Sequence, residues 1–61
     1  MHRFTFLELA DIHYCYGLAD GNSREAQRIY AVRFPNRAAP DRRVFQNVDV
    51  QLREHGRLAV S

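Results

Sequence analysis

Apolar residues along this chain recur at helical spacing, in three blocks separated by loop chemistry. In the first block Phe6, Leu7, Ala10, Tyr14 and Gly17 form one helical stripe, widened by Leu9, Ile12 and Tyr16. Thr5 and Glu8 have the spacing of a capping box, which opens a helix at Phe6. This helix ends near Gly17, with Ala19-Asp20-Gly21 as the loop. The stripe predicts that the other two helices cover most of it. In the second block Asn22 and Glu25 repeat the capping-box spacing ahead of a helix over Ser23–Arg33. Its inward positions are Ala26, Ile29 and Tyr30, with Phe34 at the exit. Pro35 stops it, because the ring removes a donor and disfavours helical geometry at Phe34.

The turn Pro35-Asn36-Arg37-Ala38-Ala39-Pro40 is longer than that of a compact helix-turn-helix. Asp41 is a good N-cap for the third block, a helix over Arg42–His55. Phe45, Val48 and Leu52 form its core stripe, flanked by Val44, and Gly56 suits the left-handed residue after the last turn. The expected fold is all-α: a three-helix bundle with a helix-turn-helix over residues 1–56. Residues 57–61 read as a tail or the start of a linker.

Turning the Phe45 ridge inward leaves Arg43, Gln46, Asn47, Val50 and Glu54 on the opposite side of the third helix. Those residue types match the edges of base pairs. Arginine pairs with guanine N7 and O6, and Gln and Asn pair with adenine N6 and N7. A small apolar side chain can meet a thymine methyl. Arg43, Gln46, Asn47 and Val50 are therefore the candidate base contacts. Arg42 lies to one side, placed for a phosphate, and Arg28, Arg37 and Arg53 complete the candidate phosphate set. About five neutralised phosphates would give a log K against log salt slope near −4.5.

Charge distribution sharpens this picture. The formal net charge is only +2. Residues 1–23 carry one arginine against three carboxylates, whereas residues 24–61 carry eight arginines against four. The basic part coincides with the helix-turn-helix pattern. No lysine occurs; arginine forms planar bidentate bonds where lysine acts as a point charge.

Other chemistries find little support. His2, His13, His55 and Cys15 include no C-x-x-C or H-x-x-x-H pair, so no metal or other cofactor is expected. His13 and Cys15, two apart on a helix, point away from each other. Cys15 reads as a core or half-buried thiol, and the rings of Tyr14 and Tyr16 as core. Ser23 and Ser61 sit in no nucleophile motif and the three glycines are isolated, so no enzyme or small-molecule substrate is expected. No apolar run approaches the ~20 residues needed to cross a bilayer, and no membrane partner is expected. A single cysteine fits a reducing, intracellular setting, and Glu8 and Asp11 argue against a secretory signal. A nuclear location follows if the chain binds DNA.

The whole pattern resembles one known family. Ala10-Asp11-Ile12-His13 with Tyr16-Gly17, the Gly21-Asn22-Ser23-Arg24-Glu25-Ala26 start, and Ile29-Tyr30 carry the first part of the resemblance. Arg33-Phe34-Pro35-Asn36-Arg37, Pro40, Phe45 and Leu52-Arg53-Glu54 before Gly56 carry the rest. They resemble the helix-turn-helix domain of unassigned function at the N-termini of arthropod transposon-derived proteins. That domain is similar to the DNA-binding modules of mariner-like transposases. The resemblance implies a homeodomain-like three-helix fold that recognises transposon-end double-stranded DNA, beside a second module or as a homodimer. Asp41-Arg42-Arg43 departs from the Ser or Thr that relatives carry there, making the reading face more basic. The rival expectation is a protein-interaction or dimerisation module without DNA readout, which a patch of Leu9, Ile12, Tyr16 and the Leu58 region would favour.

Overall fold

A computed structural model describes residues 4–56. Three helices pack pairwise around one core: α1 (Phe6–Leu18), α2 (Ser23–Arg33) and α3 (Arg42–His55). Among the described residues there is no strand. The expected all-α, three-helix helix-turn-helix bundle is therefore the observed fold, with the boundaries of α2 and α3 where caps and prolines place them. The expected tail at 57–61 lies outside the described residues.

The caps account for the helix ends. Thr5 and Glu8 form the full reciprocal box: Glu8 N–H donates to Thr5 Oγ1 at 3.1 Å, and Thr5 N–H donates to Glu8 Oε1 at 2.8 Å. At α2 only half of the expected box exists. Glu25 N–H donates to Asn22 Oδ1 at 3.1 Å, but the Glu25 carboxylate turns to Arg28 instead. The backbone N–H of Asn22 is already taken by the carbonyl of Ala19 at 3.1 Å, which removes the donor the box would have needed. Asp41 Oδ1 accepts from the Arg43 N–H, and Gly56 closes α3 with φ 68°.

The turn between α1 and α2 is a Schellman motif. Gly21 N–H donates to the Tyr16 carbonyl and Asp20 N–H to that of Gly17. Asp20, the residue after the cap, takes the left-handed conformation that the motif needs (φ 54°), and Gly21 follows it with φ 80°. Glycine adopts this region freely, and Asp tolerates it better than most side chains do.

The core consists of Leu9, Ile12, Cys15 and Ala19 from the α1 side, Ala26 and Tyr30 from α2, and Phe45 and Val48 from α3. Ile29, Phe34 and Val44 pack around it. The Tyr30 ring meets Phe34 at 4.9 Å and Phe45 edge-on at 6.0 Å between centroids. The α2 stripe and Phe45 and Val48 of α3 thus face inward as expected, whereas Leu52, the third member of the expected α3 stripe, is only half-buried and lies outside the core cluster.

On α1 the expected stripe is reversed. Phe6, Leu7, Ala10, Tyr14 and Gly17 are exposed; of the flanking set Leu9 and Ile12 are buried and Tyr16 is half-buried, and Cys15 is buried beside them. Tyr14 is 55% exposed, so its ring is not core; Tyr16 is half-buried and packs against the core. Both sets obey the same 3.6-residue period, so periodicity cannot choose between them. The polar residues at the margins decide it. Asp11 borders the exposed set and bonds to Arg37 of the turn, which is compatible only with the orientation that puts Leu9, Ile12 and Cys15 under α2 and α3. The patch of Leu9, Ile12 and Tyr16 that would have favoured the interaction-module expectation is consequently not on the surface, and Leu58 lies outside the described residues.

Candidate nucleic-acid interface

Two hydrogen bonds set α3 against α2. Gln27 Nε2 donates to the Pro40 carbonyl at 2.9 Å, tying the turn to the middle of α2. Pro40 itself is buried, which anchors the residue just before the Asp41 cap. Gln46 Nε2 donates to Ser23 Oγ at 3.2 Å, so the start of α2 lies beside the second turn of α3. Neither Ser23 nor Gln27 stands out in the sequence, because neither bond has a local spacing to reveal it.

With Phe45 and Val48 fully buried, the opposite side of α3 faces outward. Arg42, Arg43, Gln46, Asn47 and Val50 are all exposed, Val50 at 43%. Among the described residues neither Arg42 nor Arg43 is paired with a carboxylate. The structure therefore brings all four candidate base contacts onto one surface. The span from Arg43 to Val50 is about 10 Å at 1.5 Å per residue, which fits within a major groove about 12 Å wide. Gln46 spends one amide hydrogen on Ser23. Its second hydrogen and its carbonyl oxygen stay available, as a bidentate contact to adenine requires.

The candidate phosphate contacts divide differently. Arg42 is free and flanks the reading surface. Arg53 donates through Nε to Asp49 at 2.9 Å, an i,i+4 pair along α3. Arg28 is bound to Glu25 across one turn of α2, and the guanidinium holds the Glu25 carboxyl below its ordinary range. Both pairs have an exposed arginine, so a phosphate could take the place of the carboxylate at little cost.

Arg37 departs from expectation. Its Nη1 donates to Asp11 Oδ2 at 2.8 Å, with a longer contact of 3.4 Å to the Tyr30 hydroxyl, and its guanidinium lies 4.3 Å from the centroid of Phe34. Only 28% of its side chain is exposed. Arg37 ties the turn to α1 and is not presented for a phosphate. Its partner Asp11 lies 26 positions earlier, beyond the reach of any spacing rule.

An open groove of about 300 Å³ runs between the end of α1 and the second half of α3. His13, Tyr16, Asp20, Asp49 and Arg53 line it. His13 and Cys15 diverge, the imidazole toward this groove and the thiol into the core. Among the described residues no cluster of three His, Cys, Asp or Glu side chains is placed to hold a metal ion, and no helix is long and apolar enough to cross a membrane.

Comparison with known proteins places this geometry. No curated protein and no solved structure matches the chain. One family model matches residues 5–59, from the Thr5 cap through all three helices. By that match the chain belongs to the helix-turn-helix domain family DUF4817.

Proposed function

We propose that the domain binds double-stranded DNA sequence-selectively, with α3 in the major groove. Arg43, Gln46 and Asn47 contact base edges, and Val50 makes an apolar contact. Arg42, Arg28 and Arg53 contact phosphates. The observation that carries this reading is the outward face of α3. It holds exposed amides, and arginines unpaired among the described residues, in its first two turns, behind a turn fixed to α2, which is how a recognition helix meets a groove. Membership of a helix-turn-helix family supports it. The resemblance to transposon-derived modules suggests transposon-end DNA as the target and the nucleus as the place of action.

With Arg37 held by Asp11, the phosphate set shrinks. About three neutralised phosphates give a slope of log K against log salt near −2.7. Selection of bound duplexes from a random pool tests the reading, and an enriched motif is the expected result. On that motif Arg43→Ala costs about 1–3 kcal/mol and relaxes preference at one base pair. Arg42→Ala weakens every duplex by the same factor and reduces the salt slope by about 0.9. A pool with no enrichment, or equal loss on all duplexes for Arg43→Ala, removes base readout by α3.

A further inference from the structure

The side of α1 that the sequence pattern would bury is left in water. Phe6 is 83%, Leu7 65%, Tyr14 55% and Leu18 48% exposed, with Ala10 and Gly17 exposed between them. At 100° per residue these six positions fall within one sector of about 120°, and none of them is charged. A helix apolar all round calls for a second apolar surface. On this side α2 contributes only the guanidinium of Arg33, which lies over the Tyr14 ring, and no apolar surface.

We propose that the occupant is the same face of a second copy, with the two α1 helices antiparallel about a two-fold axis. The residue sizes favour this arrangement. An antiparallel pairing centred at Ile12 sets Phe6 against the partner's Leu18, Leu7 against the partner's Gly17 and Tyr14 against the partner's Ala10. In two of these three pairings a large side chain meets a small one, as interdigitating helices require. At Gly17 no heavy atom lies within 4 Å of where a Cβ would stand, so the site is open to an incoming side chain. The one charge that reaches this face is the Arg33 guanidinium, 5.3 Å from the centroid of the Tyr14 ring, at its edge.

The area sets the strength. The face offers roughly 500 Å² per copy, or about 1,000 Å² for the pair, against ~1,600 Å² for a standard stable interface. The dimer is therefore weak, forming at high micromolar concentration and dissociating on dilution. This association does not depend on DNA binding, and its test contains no DNA.

Sedimentation equilibrium of the full chain over a range of concentrations tests the proposal. The wild type is expected to show a reversible monomer–dimer equilibrium. Gly17→Leu, whose new side chain stands in open space in the monomer, raises the dimer Kd at least ~10-fold, an effect of about 1.4 kcal/mol. The double variant Leu7→Ala with Gly17→Leu exchanges the sizes within each opposed pair and restores the Kd to within about threefold. Circular dichroism of each variant confirms the fold. A wild type that stays monomeric at about 1 mM overturns the proposal, since even a ~4 kcal/mol association would then be absent. So does a Gly17→Leu variant that dimerises like the wild type. A size exchange that fails to rescue overturns the antiparallel pairing.

Discussion

Arg37 and Asp11 each leave only about a quarter of their side-chain surface in water, and their bond spans two helices' worth of chain. Truncating the arginine strands a half-buried carboxylate and uncovers the face of Phe34. A hydrogen bond between charged groups contributes about 1.5–3 kcal/mol, and leaving one partner behind adds its desolvation cost. Arg37→Ala is therefore expected to lower stability by about 2 kcal/mol, a large share of what a 61-residue domain has to lose. In a urea titration the midpoint drops with the m-value unchanged. DNA affinity of the folded fraction keeps its salt slope. A slope reduced by about 0.9 with stability intact would return Arg37 to the phosphate contacts. Glu25–Arg28 and Asp49–Arg53 look similar on paper, but their arginines stand mostly in water, and deleting either pair should scarcely move the midpoint.

The elements differ in how far local chemistry determines them. Thr5, Asn22 and Asp41 each sit just ahead of a helix, and each accepts the N–H that its position demands. Pro35 and Gly56 mark the two ends that a ring and a left-handed residue impose. Helix boundaries, fold class and the inward faces of α2 and α3 were legible for that reason, and with them the outward face that carries Arg43, Gln46 and Asn47. The orientation of α1 was not, because its apolar residues encircle it and the contacts that accompany the buried face, Asp11–Arg37 among them, are tertiary. Ion pairs split along the same line: Glu25–Arg28 and Asp49–Arg53 follow helical spacing, whereas Asp11–Arg37 follows none. The link between α1 and α2 also keeps a residue that its conformation does not favour. Asp20 is exposed at φ 54°, and its side chain has no bond that would compensate. Asp20→Gly relieves that strain and should raise stability by about 0.5–1 kcal/mol, or several degrees in melting temperature for a domain this small. A melting temperature that falls would show that the entropy glycine adds to the unfolded chain outweighs the relief.

At the scale of the whole molecule, one titrating group reports on the integrity of the core. Cys15 is fully buried, in the cluster to which all three helices contribute, so the thiol meets water only when the bundle opens. Burial pushes its pKa up, outweighing the attraction of nearby Arg33, and Asp11 adds to the rise. The folded chain thus holds its proton at a pH where the unfolded chain has begun to lose it. In that window the native state binds more protons than the unfolded state, and stability falls as pH rises. The loss begins near the ordinary thiol value of about 8.5 and continues up to the raised folded value, at no more than about 1.4 kcal/mol per pH unit. Below that window the contribution is complete and flat. Urea midpoints between pH 7.5 and 9.5 should therefore decline for the wild type and decline less for Cys15→Ala. That variant starts about 1 kcal/mol lower because it leaves a small cavity. The same burial predicts that iodoacetamide labels the native thiol only at the rate set by global opening, so that adding urea accelerates labelling in step with unfolding. Equal pH slopes for the two chains, or rapid labelling without denaturant, would mean that the three helices do not close over the thiol as the packing of Ile12, Tyr30 and Phe45 requires.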